Sequence, residues 1–242
     1  MRGLGTIINV AAIVVGGLLG LLLKKALKDR FRETIIKAQG FAVIVMSIGS
    51  TLSQMFRVGN EGKLSMQGTL MLIVSIALGA LFGELINIDR GFEKFGEWLK
   101  VKTGNSKDAG FVDGFLTASF TVCIGAMAVV GSIEDSLYGD ISILLTKGIL
   151  DMIIVMVMAA SMGKGPVFSF IPVFILQGLV TALAKVIEPV MNDASLLNLS
   201  MIGSIMIFCV GINLVWGKRI KVANLLPALI FAVAAAWIPW FN

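Results

Sequence analysis

Long apolar runs separated by short charged clusters recur along the whole 242-residue chain. About 20 such residues span a bilayer as α-helix. Hydropathy and breaker residues predict eight spans, near 3–23, 34–54, 66–87, 110–132, 141–161, 166–186, 198–216 and 221–241. The predicted fold is an all-α, polytopic transmembrane helix bundle, with residues 1–242 as one transmembrane domain. Arg2 precedes an apolar run from Gly3 to Leu23, too long for the core of a signal peptide and without a small-residue cleavage site before Lys24, so it is taken as the first span. Pro166 suits the first turn of the sixth span. Pro172, Pro227 and Pro239 lie within predicted spans and predict kinks or breaks.

Composition agrees with a lipid solvent. The chain is 57% hydrophobic and 14% charged, with mean hydropathy +0.94. An ordinary globular domain is about half apolar and about a quarter charged. Cys123 and Cys209 both fall inside apolar runs and serve as packing residues, not a disulfide pair.

The net charge of +5 would suit nucleic acid, but its distribution follows membrane topology, so no nucleic-acid partner is expected. One side collects Lys24, Lys25, Lys28, Arg30, Arg32, Lys37, Arg90, Lys94, Lys100, Lys102, Lys107, Lys164, Lys218, Arg219 and Lys221. The other has Arg2, Arg57, Lys63, Lys147 and Lys185. This imbalance predicts both termini outside. Within residues 89–100, Phe92, Phe95 and Leu99 share one helical face, as in a helix lying in the membrane interface. Trp98 and Trp216 mark the inner interface, and Trp237 and Trp240 the outer one.

The sequence also repeats itself. Gly5–Gly20 aligns without gaps on Gly68–Gly83, pairing Gly5 with Gly68, Thr6 with Thr69, Ile13 with Ile76, Gly16 with Gly79, Leu18 with Leu81 and Gly20 with Gly83. Both copies end in glycines four apart, which lets helices approach closely. A weaker echo relates Cys123-Ile124-Gly125 to Cys209-Val210-Gly211, and residues 150–160 to 226–236. If spans three to five recur as six to eight, the copies are inverted, a construction common in secondary transporters.

Ionisable residues inside a bilayer are costly and are functional candidates. Asp151 and Lys147 lie four apart near the middle of the fifth span, on one face, where they neutralise each other. They serve either a coupling ion, proton or charged substrate, or a structural lock between helices. Asp113, Thr117, Thr121 and Gly125 form one stripe on the fourth span, and Gln177, Thr181 and Lys185 another on the sixth. Ser47, Ser50, Thr51 and Gln54 suit hydrogen bonds between helices. Residues 131–140 read as an outer turn whose acids Glu134, Asp135 and Asp140 either concentrate cations at a mouth or form a solvated loop.

The chain contains no His, which excludes imidazole metal sites and His-based catalysis. It has neither clustered metal ligands nor a phosphate-binding G-x-x-x-x-G-K-[ST] segment. No cofactor, metal, enzyme activity or ATP coupling is expected. The expected partners are the lipid bilayer and a small solute or ion; small-residue faces permit a homo-oligomer.

Residues 131–140, Lys147-Gly148-Ile149-Leu150-Asp151, Gly163-Lys164-Gly165-Pro166-Val167 and Asn224-Leu225-Leu226-Pro227 resemble the bacterial YqgA/YdfK membrane family, domain of unknown function 554. Gly is usual in that family where Ser136 stands, and Ser where Gly148 stands. The resemblance implies a multi-pass protein of the bacterial inner (cytoplasmic) membrane, often described as a transporter, without an established substrate. The function expected is a secondary transporter or channel for a small solute or ion, with a lean to cations. The alternative is a non-transporting sensor, assembly factor or partner subunit.

Overall fold

The computed structural model describes residues 2–58 and 64–241. Its helices are α1 (Leu4–Ala26), α2 (Asp29–Met55), α3 (Thr69–Ile86), α4 (Ile88–Lys102), α5 (Phe111–Cys123), α6 (Ala126–Leu137), α7 (Ser142–Met162), α8 (Phe170–Ala182), α9 (Ala184–Ile187), α10 (Asp193–Trp216) and α11 (Pro227–Ala235). A short antiparallel pair, β1 (Phe56–Val58) and β2 (Leu64–Met66), follows α2. Lys63 lies outside the described residues, as does the side chain of Arg57.

Among the described residues, six helical segments are long and apolar enough to cross a membrane. Three predicted spans differ from expectation. The fourth is not continuous over 110–132: α5 and α6 meet at 61° across Ile124 and Gly125. Gly125 adopts φ +151° and ψ 150°, outside the helical region and costly for any residue with a Cβ. The eighth is shorter than 221–241, with an apolar helical stretch from Val222 to Ala235. The seventh begins earlier than 198, because the Asn192 side chain accepts the Ser195 N–H at 2.8 Å and caps α10.

Each proline sits where its missing N–H costs nothing, and two coincide with interruptions of the eighth span, a 3₁₀ turn ending before Pro227 and the end of α11 before Pro239. Pro172 is in the first turn of α8, Pro227 opens α11, and Pro239 opens a final 3₁₀ turn.

Glycine contacts give the helix directions. A methyl on Gly16 would collide with the Met152 carbonyl and one on Gly20 with that of Met156, so α1 and α7 lie backbone to backbone and parallel. On α3, Gly79 abuts Ala228 and Gly83 abuts the Asn224 carbonyl, so α3 and α11 run antiparallel. The glycines of both sequence repeats therefore serve close packing. On α2, Gly40 packs against Leu214 and Ser50 hydrogen-bonds Ser204 at 2.7 Å, making α2 antiparallel to α10. Ser47 and Thr51 bond their own helix instead.

These directions bring the beginning and the end of the chain to one end of the bundle. Gly3 lies against Thr181 near the close of α8, and the Trp237 indole donates to the Val190 carbonyl just before α10. The opposite end carries the connections α1–α2, α3–α5, α7–α8 and α10–α11, and with them the basic clusters. It is called the basic end below.

Helix α4 differs from a free interfacial helix. Leu99 is buried, Phe92 stacks edge-on against Phe120 and Phe95 packs against Phe115. Its apolar stripe is thus covered by α5, while Trp98 stays exposed. Leu22, Met46, Leu85 and Ile230 are exposed apolar side chains on membrane-length or apolar helices, as expected of a lipid-facing surface.

Candidate functional site

The break after α5 releases backbone groups that a continuous helix would bond internally. The Val122 carbonyl would pair with the Ala126 N–H in an unbroken helix. Instead Lys147 of α7 donates to it at 2.7 Å, and also to Asp151 Oδ2 at 2.6 Å. Lys147 is 7% and Asp151 3% exposed. The four-residue spacing puts both on the same face of α7, and Gly148 between them admits α1. A methyl on Gly148 would stand 3.3 Å from the Asn9 Cα. Asn9 is fully buried, with its amide beside the Asp151 carboxylate but outside hydrogen-bond geometry.

The arrangement places an ammonium at the carbonyl end of one half-helix and balances it with a carboxylate. Half-helix termini carry partial charge and are used in membranes to hold ions or charged groups. Losing one member of a buried pair strands the other charge, at a cost of ~3–5 kcal/mol.

Asp113 and Thr117 lie elsewhere. They line a pocket of about 180 Å³ at the basic end, together with Asp89, Asn213 and Lys218. Thr121 is not part of it: its hydroxyl bonds the Thr117 carbonyl at 2.8 Å. Lys218 donates to Asp89 at 2.6 Å and to Glu93, and the Asp89 N–H donates to Asn224 Oδ1 at 2.7 Å. Burial depresses the Lys218 pKa, but the bonds to Asp89 and Glu93 outweigh it and the net shift is upward. Asp113 and Thr117 thus belong to a polar pocket separate from the Lys147–Asp151 pair.

A cavity of about 730 Å³ runs from Asn87 at the α3–α4 junction to the break at Gly125. Phe92, Phe120, Cys123, Pro172 and Leu179 line it, and no charged residue does. It therefore meets the broken helix on an apolar surface.

The predicted outer mouth does not form as one group of acids. Residues 126–137 are helical, so Glu134 and Asp135 lie on α6 and not in a turn. Asp135 is fully buried and accepts the Gly5 N–H at 2.8 Å, at the start of α1. Glu134 is half-buried. Asp140 is exposed and accepts the Ser142 N–H at 2.8 Å. Hydrogen bonding by the Ser142 side chain, and then by its N–H, holds this carboxyl below the ordinary range. The helix continues through this stretch because tertiary contacts cover it: a methyl on Gly131 would meet Ile143 and Leu144 at 2.9 Å.

Gln177 and Thr181 do share one face of α8, and Gln177 is fully buried. Sequence reasoning missed Asn9 and the break at Ile124-Gly125. Asn9 is the one amide in the first apolar run, which was a usable signal; Gly125 carried none beyond being a glycine among many.

Residues 4–237 match the family described as "Protein of unknown function (DUF554)". The chain belongs to this family. Two relatives match almost end to end. One is the "Uncharacterized membrane protein YdfK" of Bacillus subtilis (strain 168), 30% identical over 226 residues, covering 93% of this chain and 92% of the relative. The other is the "Uncharacterized protein YqgA" of Escherichia coli (strain K12), 26% identical over 244 residues, covering 98% and 99%. No solved structure matches the chain. With a membrane protein among its relatives and several membrane-length apolar helices, this DUF554 chain is a multi-helix membrane protein.

Proposed function

We propose that the protein is a secondary transporter or channel for a small solute or ion, driven by a gradient or passive. The observation that carries this reading is the broken α5–α6 helix, with the buried Lys147–Asp151 pair bound to its released Val122 carbonyl. Discontinuous helices with charged groups at their ends recur where transporters hold ions and substrates. In this reading Asp151 couples an ion or proton and Lys147 is its counter-charge. Asp113 and Thr117 line the entrance from the basic end. The reading includes an inverted repeat of spans three to five as six to eight, a construction common in secondary transporters. The Lys and Arg gathered at the basic end support, by the positive-inside rule, a cytoplasmic basic end and both termini outside; the membrane in this reading is the bacterial inner membrane.

A solute and ion flux screen in liposomes tests it, with Asp151→Asn as the paired variant. Wild type should move at least one small solute or ion, and Asp151→Asn should lose at least tenfold. Normal flux through folded Asp151→Asn removes Asp151 from the mechanism.

A second reading rests on the closed geometry of the same pair, in which Lys147 already has two acceptors. There the pair is a structural lock in a sensor or partner subunit. Replacing both residues with apolar ones would then leave function intact.

A further inference from the structure

We propose a monovalent-cation site where α1, α6 and α8 meet, built from Thr6, Asp135, Gln177 and Thr181. Packing brings the three helices together at this point. The Gly5 N–H donates to Asp135 Oδ2 at 2.8 Å, tying α1 to α6. Ser136 Oγ donates to the Thr181 carbonyl at 2.8 Å, tying α6 to α8. A methyl on Gly3 would stand 3.9 Å from the Thr181 methyl, which closes the triangle between α8 and α1. Gln177 lies one turn before Thr181 on the same helical face.

Asp135 and Gln177 are 0% exposed and Thr6 is 3% exposed. Yet Thr6 Oγ1, Asp135 Oδ1, Thr181 Oγ1 and both amide atoms of Gln177 have no hydrogen-bond partner among the described residues. Buried polar atoms are normally satisfied by protein, water or an ion, and these unsatisfied ones sit on the three helices that the contacts above bring together.

Charge and donor type choose the ligand. Asp135 forms no ion pair among the described residues, and the one buried base among them, Lys147 of α7, is committed to Val122 and Asp151. A buried carboxylate needs a counter-charge. The other groups offer hydroxyl and amide oxygens, a hard donor set suited to cations of the alkali and alkaline-earth kind. One carboxylate balances one positive charge, which favours a monovalent ion over a divalent one. The site takes up Gln177 and Thr181 of the α8 stripe, and its binding needs no gradient and is measured apart from transport.

The experiment uses the purified full chain in detergent, melted in rising sodium or potassium chloride, with choline chloride holding the ionic strength constant. Sodium or potassium should raise the melting temperature saturably, by roughly 5 °C at a hundredfold excess over Kd. Choline should not. Asp135→Asn should make the curves superimpose. Thr181→Val keeps the carboxylate and should raise the half-saturating concentration about tenfold. A wild-type melting temperature indifferent to both cations overturns the site, as does a shift that survives in Asp135→Asn. If Asp135→Asn does not fold, Thr181→Val decides, and an unchanged half-saturation overturns the site. Cation binding without flux would leave this site standing and remove the transport reading; flux without cation binding would do the reverse.

Discussion

The Lys147 ammonium reaches the Val122 carbonyl at 2.7 Å, across 25 residues of sequence, and replaces the N–H that a straight helix would have supplied. One side chain thereby satisfies a broken backbone and, through Asp151, its own charge. The break and the ion pair are one structural unit.

That unit predicts an asymmetric mutational cycle. Lys147→Met alone leaves the Asp151 carboxylate and the Val122 carbonyl buried without a donor, and should cost ~3–5 kcal/mol. Lys147→Met with Asp151→Leu removes both charges and should recover more than half of that loss. Thermal melting of the single and double variants in detergent measures the coupling; strict additivity would separate the two residues.

Gly125→Ala tests the break itself. A Cβ there meets nothing within 4 Å, so crowding is not at issue. The strain comes from φ +151° alone and should cost about 1–3 kcal/mol. The expected outcome is a lower melting temperature and, under the transport proposal, reduced flux. An unchanged melting temperature would show that the break tolerates a side chain.

The glycine faces should be intolerant for a different reason. A methyl on Gly83 or Gly16 would overlap a carbonyl of the facing helix, which only a shift of backbone can relieve. Gly83→Ala and Gly16→Ala should each destabilise by ~1–3 kcal/mol or more, whereas Gly49→Ala, with open space around it, should be neutral. Yield and melting temperature of the three variants make the comparison.

At the basic end, Lys218 gives a pH dependence of known sign. Its pKa is raised in the folded state by Asp89 and Glu93 against the pull of burial. Its contribution is therefore complete below the unfolded Lys value of about 10.4 and declines as pH rises through the higher folded value. Melting between pH 8 and 11 should show wild type losing its advantage over Lys218→Met at the alkaline end. Parallel curves would mean that Asp89 and Glu93 do not hold the ammonium.

The two ends of the bundle can be assigned directly. With Cys123 and Cys209 replaced by Ala, Tyr138→Cys should react with an impermeant thiol reagent added outside cells. Lys25→Cys should react only after permeabilisation. The opposite pattern would invert the proposed orientation.

Much of this architecture was legible in the residues. Hydropathy, the glycine spacing and the basic clusters are local properties, and each survives folding because lipid, close packing and headgroup charge act on each helix separately. The four-residue interval between Lys147 and Asp151 is equally local, since one helix sets it. Tertiary structure decided the rest. No feature near Gly125 announced the break, because an interrupted helix is stable only where a group from another helix takes the released carbonyl. Asp135 looked like a loop acid beside Glu134 and Asp140; contacts with α1 and α7 keep its segment helical and bury it against the Gly5 N–H. Which polar atoms meet, and which are left without partners inside the bundle, depends on helices far apart in the chain.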